Sequence, residues 1–486
     1  MKKVIIYKAN DCWHLIEFNH RCYKSGTIQD VCSHIKNNYQ VYSLQISDFI
    51  REFDKEYPRK DLPILVDIES FVKQFWQKSK PLEAQKKWNF FKFLKENDFL
   101  SKEFKIQESI DLYLNYIIDF IEDTINNRSP EELIRFENIE IPINLLIFKR
   151  QRKGIRIDET IYPDLIRKTE EELYKIKNEI QIIHKIYSPD EISTQIQVLE
   201  SEGIEIKGSL LALFKNEQSS SNVCKLFYEM IRTDNDLRAL LYLTSKKGGE
   251  SRTFPNYHGF GSISSRITLR EPALQNLRKK TRKILKPDDN CEFVYVDYSQ
   301  FEAGILASIS EDDRLRKLYD SDIYDDLNTN VWGGRKNRDE AKILFYKYMY
   351  GIEFRSNIES KYFQSFTSLT KFKKQVEEGI ESTNKVGSSH GNYRILSVED
   401  KSKALSHRIQ AEASLIFKEA LLKVNKEIAE AEFILPMHDA ALYQVNIKLH
   451  DIKSIEEKIK TIFQEVFKSK CPGINHSVNI KQFYED

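Results

Sequence analysis

No apolar run in this sequence reaches the roughly 18 residues that a membrane helix needs, and the opening MKKVIIYKAND holds an apolar stretch too short for a signal-peptide core. Cysteine is scarce: Cys12, Cys22, Cys32, Cys224, Cys291 and Cys471 are the six in 486 residues, and no two form a CxxC pair. Reduced thiols, rather than a disulfide framework, are the expectation. There is no excess of charge either, with 75 Lys and Arg against 74 Asp and Glu, so no global field points to nucleic acid or to an acidic surface. Internal repeats are missing, and only NEQSSSN is low in complexity. These absences describe a soluble, cytoplasmic chain with no membrane partner, and 41% hydrophobic content over this length supports two or three globular domains.

Six metal-competent side chains crowd the start: Cys12, His14, His20, Cys22, Cys32 and His34. Alternate residues of a strand share a face, but structural zinc favours ligands a few residues apart at a turn, so ordinary core and surface roles are expected. Residues 1–125 read as a small mixed α/β domain, with strands in KKVIIYKA and PILVDIES and helical spacing in DLYLNYIIDFIEDTI. NNRSPEE then reads as a linker. Beyond EIPINLLIFKRQRKGIRID, Leu165, Thr169, Leu173, Ile176, Ile180 and Ile183 recur at three- and four-residue steps and predict a long amphipathic helix. The helical pattern of SPDEISTQIQVLESEGIEI ends at Gly203.

Four later stretches carry chemistry. SSRITLREPALQNLRKKTRKILKP gathers Arg266, Arg270, Arg278, Lys279, Lys280, Arg282, Lys283 and Lys286 against the single acid Glu271. That is either a solvated basic loop or a phosphate-contacting segment, with Gln275 and Asn276 able to reach groove edges. FVYVDYSQFEAGILASIS turns from strand to helix at Asp297, where a carboxylate and a neighbouring carbonyl can face a hard cation, with Glu302 one turn further on. In RDEAKILFYKYMYGIEF, Arg338, Lys342, Tyr346 and Tyr350 fall four apart on one slanting helical stripe, and cations in a first helical turn make sense beside an anion. EFILPMHDAALYQV reads as a hairpin presenting His438 and Asp439 at its tip, with Pro436 a mild objection to the strand. Two carboxylates holding two Mg²⁺ about 3.5 to 4 Å apart, with Arg338 and Lys342 on a triphosphate, describe nucleotidyl transfer.

These residues resemble the family A DNA polymerases, the bacterial DNA polymerase I type. DYSQFE is similar to the family's motif A, RDEAKILFYKYMYG to motif B on the fingers helix, and MHDAAL to motif C. SSRITLREPALQN is similar to the segment that contacts the primer-template minor groove, and QAEASLIFKEAL to the palm helix beginning at Gln410. The resemblance runs from about Ile139 to the C-terminus. It implies an α+β right-hand fold over residues 139–486, with thumb about 155–245, palm about 253–310 and 400–486, and fingers about 311–400.

It further implies Asp297 and Asp439 as the catalytic metal pair assisted by the Tyr298 carbonyl, with Mg²⁺ as cofactor and Mn²⁺ able to replace it. Gln300, Glu302, Arg338, Lys342, Tyr346 and Tyr350 would contact the dNTP, Glu302 and Tyr350 as the steric gate. Arg266, Gln275, Asn276, Gln410 and His438 would line the primer-template DNA.

Three positions depart from the pattern. Ala440 stands where the family usually has an acid after the motif C aspartate. Tyr324 stands where a histidine often helps hold the triphosphate. Tyr346 stands where many repair members carry phenylalanine and some phage replicative members tyrosine. Upstream, Asp67 and Glu69 in LVDIES mimic the Asp-x-Glu of a 3′-5′ exonuclease, with Asn115 and Asp119 as forced partners, but the roughly seventy residues that follow leave too little chain for the rest of a ribonuclease-H-like sheet. The first domain is therefore expected not to proofread, and no 5′-nuclease region is read. Two other readings stay open: a catalytically inactive DNA-binding scaffold, and a template-independent or specialised nucleotidyltransferase of a mobile-element or defence system.

Overall fold

The computed structural model describes residues 1–36, 38–76, 89–106, 109–206, 209–243, 246–247, 249–349 and 357–484. The first 67 residues already complete a five-stranded mixed sheet. Its order is Tyr23–Gly26, Cys12–Glu17, Lys3–Ala9, Gln40–Ser43, Ile64–Asp67, the first three strands antiparallel and the last two joined in parallel. The sheet thus lies upstream of Asp67, whereas the sequence reading looked for the room downstream. Both of its faces are apolar. Val4, Ile6, Trp13, Leu15, Val41 and Leu65 join the core that also holds Val294 and Val296, while Ile5, Ile16, Tyr42 and Val66 join a second core with the helix Ile110–Asn126. A sheet covered on both faces reads as near-continuous apolar runs, which is the pattern of KVIIYKA.

PILVDIES divides where its periodicity changes: Ile64–Asp67 is strand and Ile68–Phe75 helix, with the Asp67 carboxylate accepting from the amides of Glu69 and Ser70 as an N-cap. NNRSPEE contracts to a short turn, because Pro130 opens a new helix at its first position and helical structure runs on to Lys153. Gly154, at φ +72°, ends that run. Cys32 lies in the core, His14 Nδ1 is 2.6 Å from the Tyr23 hydroxyl, and His34 lies against Lys24, so each has local company.

The long helix Tyr162–His184 packs against Asn222–Leu241 around Leu173, Ile176, Ile180, Phe214, Phe227 and Met230, a core of its own. Ile183 alone of the predicted stripe is exposed, one residue before the chain leaves the helix. A four-stranded antiparallel sheet follows in the order Glu432–Met437, Ala440–Asn446, Cys291–Tyr298, Val478–Lys481. Pro436 sits on the edge strand, where a missing amide costs no ladder partner on the outer side. The helices Ala404–Glu427 and Ile452–Lys470 pack against each other and against this sheet, and further helices lie between Asp313 and Met349 and between Asn357 and Thr383.

Candidate active site

Strand pairing brings together residues that the sequence keeps more than a hundred positions apart. Asp297 lies opposite Ala440 across the ladder, so Asp439, the residue before Ala440, leaves the hairpin beside it. His438 adopts φ +60° to make that hairpin, and the Tyr298 amide donates to the Asp439 carbonyl at 3.4 Å. Burial pushes the Asp297 carboxyl up, Lys481 pulls it back by donating to Oδ2, and the Asp439 charge pushes it up again. Two like charges therefore face one space.

Arg266 tethers that space to its floor. Its Nη2 donates to Oε1 of Glu302, which is 2% exposed, and lies 3.8 Å from Oδ1 of Asp439. Burial raises the Glu302 carboxyl to about 7; Arg266 opposes the shift and Asp439 adds to it. His438 is held below its ordinary value by burial and then by Arg266. Lys342, on the helix Arg338–Met349, is near enough for its charge to favour the ionised form of both Asp297 and Glu302. On that helix Arg338 Nε donates to Asp322 at 2.8 Å, and Lys342 Nζ is 5.9 Å from the Tyr346 ring centre.

Other expected contacts are placed differently. The Gln275 side chain is taken up by the backbone of Leu269, accepting at 3.1 Å and donating at 3.3 Å. Asn276 is exposed, Gln410 lies partly exposed on Ala404–Glu427, and Tyr350 lies outside the described residues. Gln300 takes φ +49° at the turn before Phe301–Ile309, with its buried Oε1 unmatched among the described residues.

The basic segment is largely matched from within. Arg278 and Lys280 pair with Asp236 and Glu172, Lys286 with Asp158 and Arg270 with Glu69, while Arg282 lies 5.6 Å from the Tyr295 ring centre. Two residues went unread in the sequence, Lys481 against Asp297 and Arg232, whose charge reaches His438. Lys481 sits 184 positions from its partner, so no spacing rule could have joined them.

Among the described residues no three His, Cys, Asp or Glu converge as a self-sufficient metal cage. Two carboxylates facing one another do suit Mg²⁺, which commonly binds through one or two carboxylates and completes its shell with water and substrate phosphates. The donors are hard carboxylate oxygens, each with a protein cation nearby that opposes a bound metal.

An antiparallel sheet bearing paired carboxylates, joined to a two-helix unit and a helical region carrying Arg338 and Lys342, is the right-hand fold of a polymerase, here with an α/β part at the N-terminus. The family pattern described as DNA polymerase family A matches residues 166–481, and the chain belongs to that family.

It is 24% identical over 399 residues to DNA polymerase I of Caldicellulosiruptor bescii, covering 69% of this chain and 46% of that protein. It is 23% identical to DNA polymerase I of Helicobacter pylori strain J99, covering 93% and 54%. The chain thus spans about half the length of the curated relatives it matches. Among solved structures, the POL domain of Pol1 from M. smegmatis, described in complex with DNA primer-template and dNTP, aligns with TM-score 0.70 at 14% identity, over 98% of this chain and 94% of that one.

Proposed function

We propose that this chain is a template-directed DNA polymerase that adds dNTPs to a primer 3′ end. The observation that carries the reading is the meeting of Asp297 and Asp439 at adjacent strand ends, with the Lys342 charge close enough to act on Asp297. When bound, Mg²⁺, or Mn²⁺ in its place, would supply the charge that activates the primer hydroxyl and stabilises the leaving pyrophosphate. Asp297 and Asp439 would hold it, with the Tyr298 carbonyl as an assisting donor.

Arg338 and Lys342 take the triphosphate, where fixed positive charge serves a transfer that is mostly positioning and electrostatics. Glu302, buried and tethered by Arg266, forms a rigid floor under the sugar and acts with Tyr350 to reject a ribose 2′-hydroxyl. Gln300 and Tyr346 complete the nucleotide side; Arg266, Gln275, Asn276, Gln410 and His438 belong to the primer-template side, Gln275 by shaping the turn that presents Asn276.

In domain terms, residues 139–486 form the polymerase unit and 1–125 a module that does not proofread. Two observations support the latter. The central strand Lys3–Ala9 ends in Tyr7, Lys8 and Ala9, with no acid. Asp67 is occupied as a helix cap beside His258, and Glu69 is paired with Lys73 and Arg270. Primer extension with Mg²⁺, with and without template, tests the whole reading. Extension by the wild-type chain that requires template and is lost in Asp297→Ala and in Asp439→Ala is the expected result. Full activity in either variant overturns it, and untemplated extension of a single strand transfers the case to a terminal transferase.

A further inference from the structure

Each aspartate of the pair already faces a protein cation, and the two cations are held very differently. Arg266 lies 3.8 Å from Asp439 but is anchored by Glu302, a side chain with 2% exposure. Lys481 donates to Asp297 Oδ2 from the edge strand Val478–Lys481, and its side chain is 47% exposed. The register explains the reach. Lys481 lies opposite Tyr295 and Asn479 opposite Asp297, so Lys481 projects on the same face as Asp297, two residues along, a diagonal that a long side chain spans. A half-exposed ion pair adds little to stability, because solvent screens it and the long side chain loses freedom. Its position therefore matters more than its contribution to folding: the ammonium occupies one of the two Asp297 carboxylate oxygens and sets a positive charge beside the other.

Resting on the polymerase reading of the site, we propose that Lys481 is a displaceable counter-ion of the metal-binding aspartates, one that holds Asp297 until a divalent cation arrives and so sets the metal affinity of the nucleotide-free chain. An ammonium is a compact point charge on four flexible carbons, so it can leave the carboxylate by rotation alone. Arg266, whose Nη2 is tied to the buried Glu302, is held more firmly. The consequence is competition. In the empty site the ion must displace Lys481, whereas a triphosphate brings phosphate oxygens that strengthen metal binding without strengthening the lysine's hold. Metal loading is thereby tied to nucleotide arrival, and Lys481 acts as a positioning residue through Asp297 rather than on the substrate.

The test counts free Mn²⁺ by electron paramagnetic resonance during titration of the full chain, with neither DNA nor nucleotide present. Lys481→Met is expected to bind Mn²⁺ about three- to fivefold more tightly than wild type, the scale of a partly exposed ion pair. Lys481→Gln, which keeps much of the stem but no charge, follows it and secures the comparison if Met disturbs the edge strand. Lys481→Arg, which restores the charge, stays near wild type, and Asp297→Ala loses the site. A parallel fall in the Mg²⁺ concentration that half-saturates primer extension is expected for the Met and Gln variants.

Unchanged or weaker Mn²⁺ binding in both uncharged variants overturns the inference, as does tighter binding in the Arg variant equal to that of Met. Because the titration uses no primer, the two readings fail separately. A wild type that extends primer while the variants bind Mn²⁺ no better removes only the role of Lys481. A wild type that extends nothing while the titrations come out as expected removes the polymerase reading and leaves the counter-ion in place.

Discussion

The guanidinium of Arg338 lies 4.9 Å from the ring centre of Tyr324. Tyr324 is 1% exposed, and its buried aromatic face supports the arginine. With Asp322 on its other side, Arg338 is held in place before any nucleotide arrives. Arg338→Ala is expected to raise the KM for dNTP by about ten- to a hundredfold, the scale of a lost charge-assisted contact. Tyr324→Phe keeps the face and should leave KM within about twofold, since only the hydroxyl is removed. Steady-state kinetics decide it; a Phe variant as impaired as Arg338→Ala would mean that the hydroxyl, not the ring, holds the arginine.

Tyr346 shares its helix with Lys342 and lies beside Tyr324. On the proposed reading its hydroxyl stands in for the missing 3′-hydroxyl of a dideoxynucleotide, so the wild-type chain uses ddNTPs efficiently and Tyr346→Phe discriminates against them by at least about tenfold. Competitive incorporation of ddNTP against dNTP measures the ratio. Strong dideoxy resistance in the wild type, unchanged in the Phe variant, would contradict the placement of Tyr346.

Glu302 gives a pH dependence whose sign follows from its burial. The folded chain keeps its carboxyl protonated up to about 7, whereas the unfolded carboxyl releases its proton near 4.5. Between those values the folded state binds more protons, so wild-type stability falls as pH rises through the window. Glu302→Gln does not titrate, and its Tm minus that of wild type should grow from pH 5 to about pH 7 and level off above it. A difference that stays flat would mean that Glu302 is already ionised in the folded chain throughout.

Lys418, fully buried, donates to Glu140 at 2.6 Å, and Glu140 also accepts from Arg135 at 3.0 Å. Burial, with Arg135 adding to it, holds the Lys418 ammonium down at about 8, while Glu140 opposes the shift. This triad ties the helix Ala404–Glu427 to the helical run that follows the N-terminal part. Lys418→Met is expected to lose about 3 kcal/mol, because one member of a buried charge set leaves the others mismatched. Urea unfolding gives the value, and a variant as stable as wild type would show that the network contributes specificity rather than stability.

At the N-terminal end, Asp67→Ala should cost about 1 to 2 kcal/mol by uncapping Ile68–Phe75 and leave the fate of a primer unchanged. Urea unfolding measures the first half, and incubation of labelled primer with Mg²⁺ and no dNTP the second. Digestion by the wild type that Asp67→Ala abolishes would restore the exonuclease reading.

Some of this was legible because it is local. The strand-to-helix turn at Asp297, the hairpin that carries Asp439, the four-residue stripe of Arg338, Lys342 and Tyr346, and the buried face from Leu165 to Ile180 each express a period of two or of 3.6 within a short window. Side chains a few residues apart are fixed by one element, and a linear reading reaches them. The N-terminal part was only half legible. KVIIYKA reads as a strand, but nothing in its own letters places it at the centre of a sheet completed before Asp67.

The sequence by itself determined the elements, the order of the motifs and the family to which they belong. Tertiary structure alone decided which charges meet. It gave Arg266 to Glu302, Arg278 to Asp236, and Lys481 to Asp297 across 184 positions, and so showed a segment left open between a solvated loop and a phosphate contact to be largely matched from within. The physical reason is that secondary structure follows from neighbours along the chain, whereas a Coulomb interaction depends on distance in space and on burial, and both are set only when strands pair and helices pack.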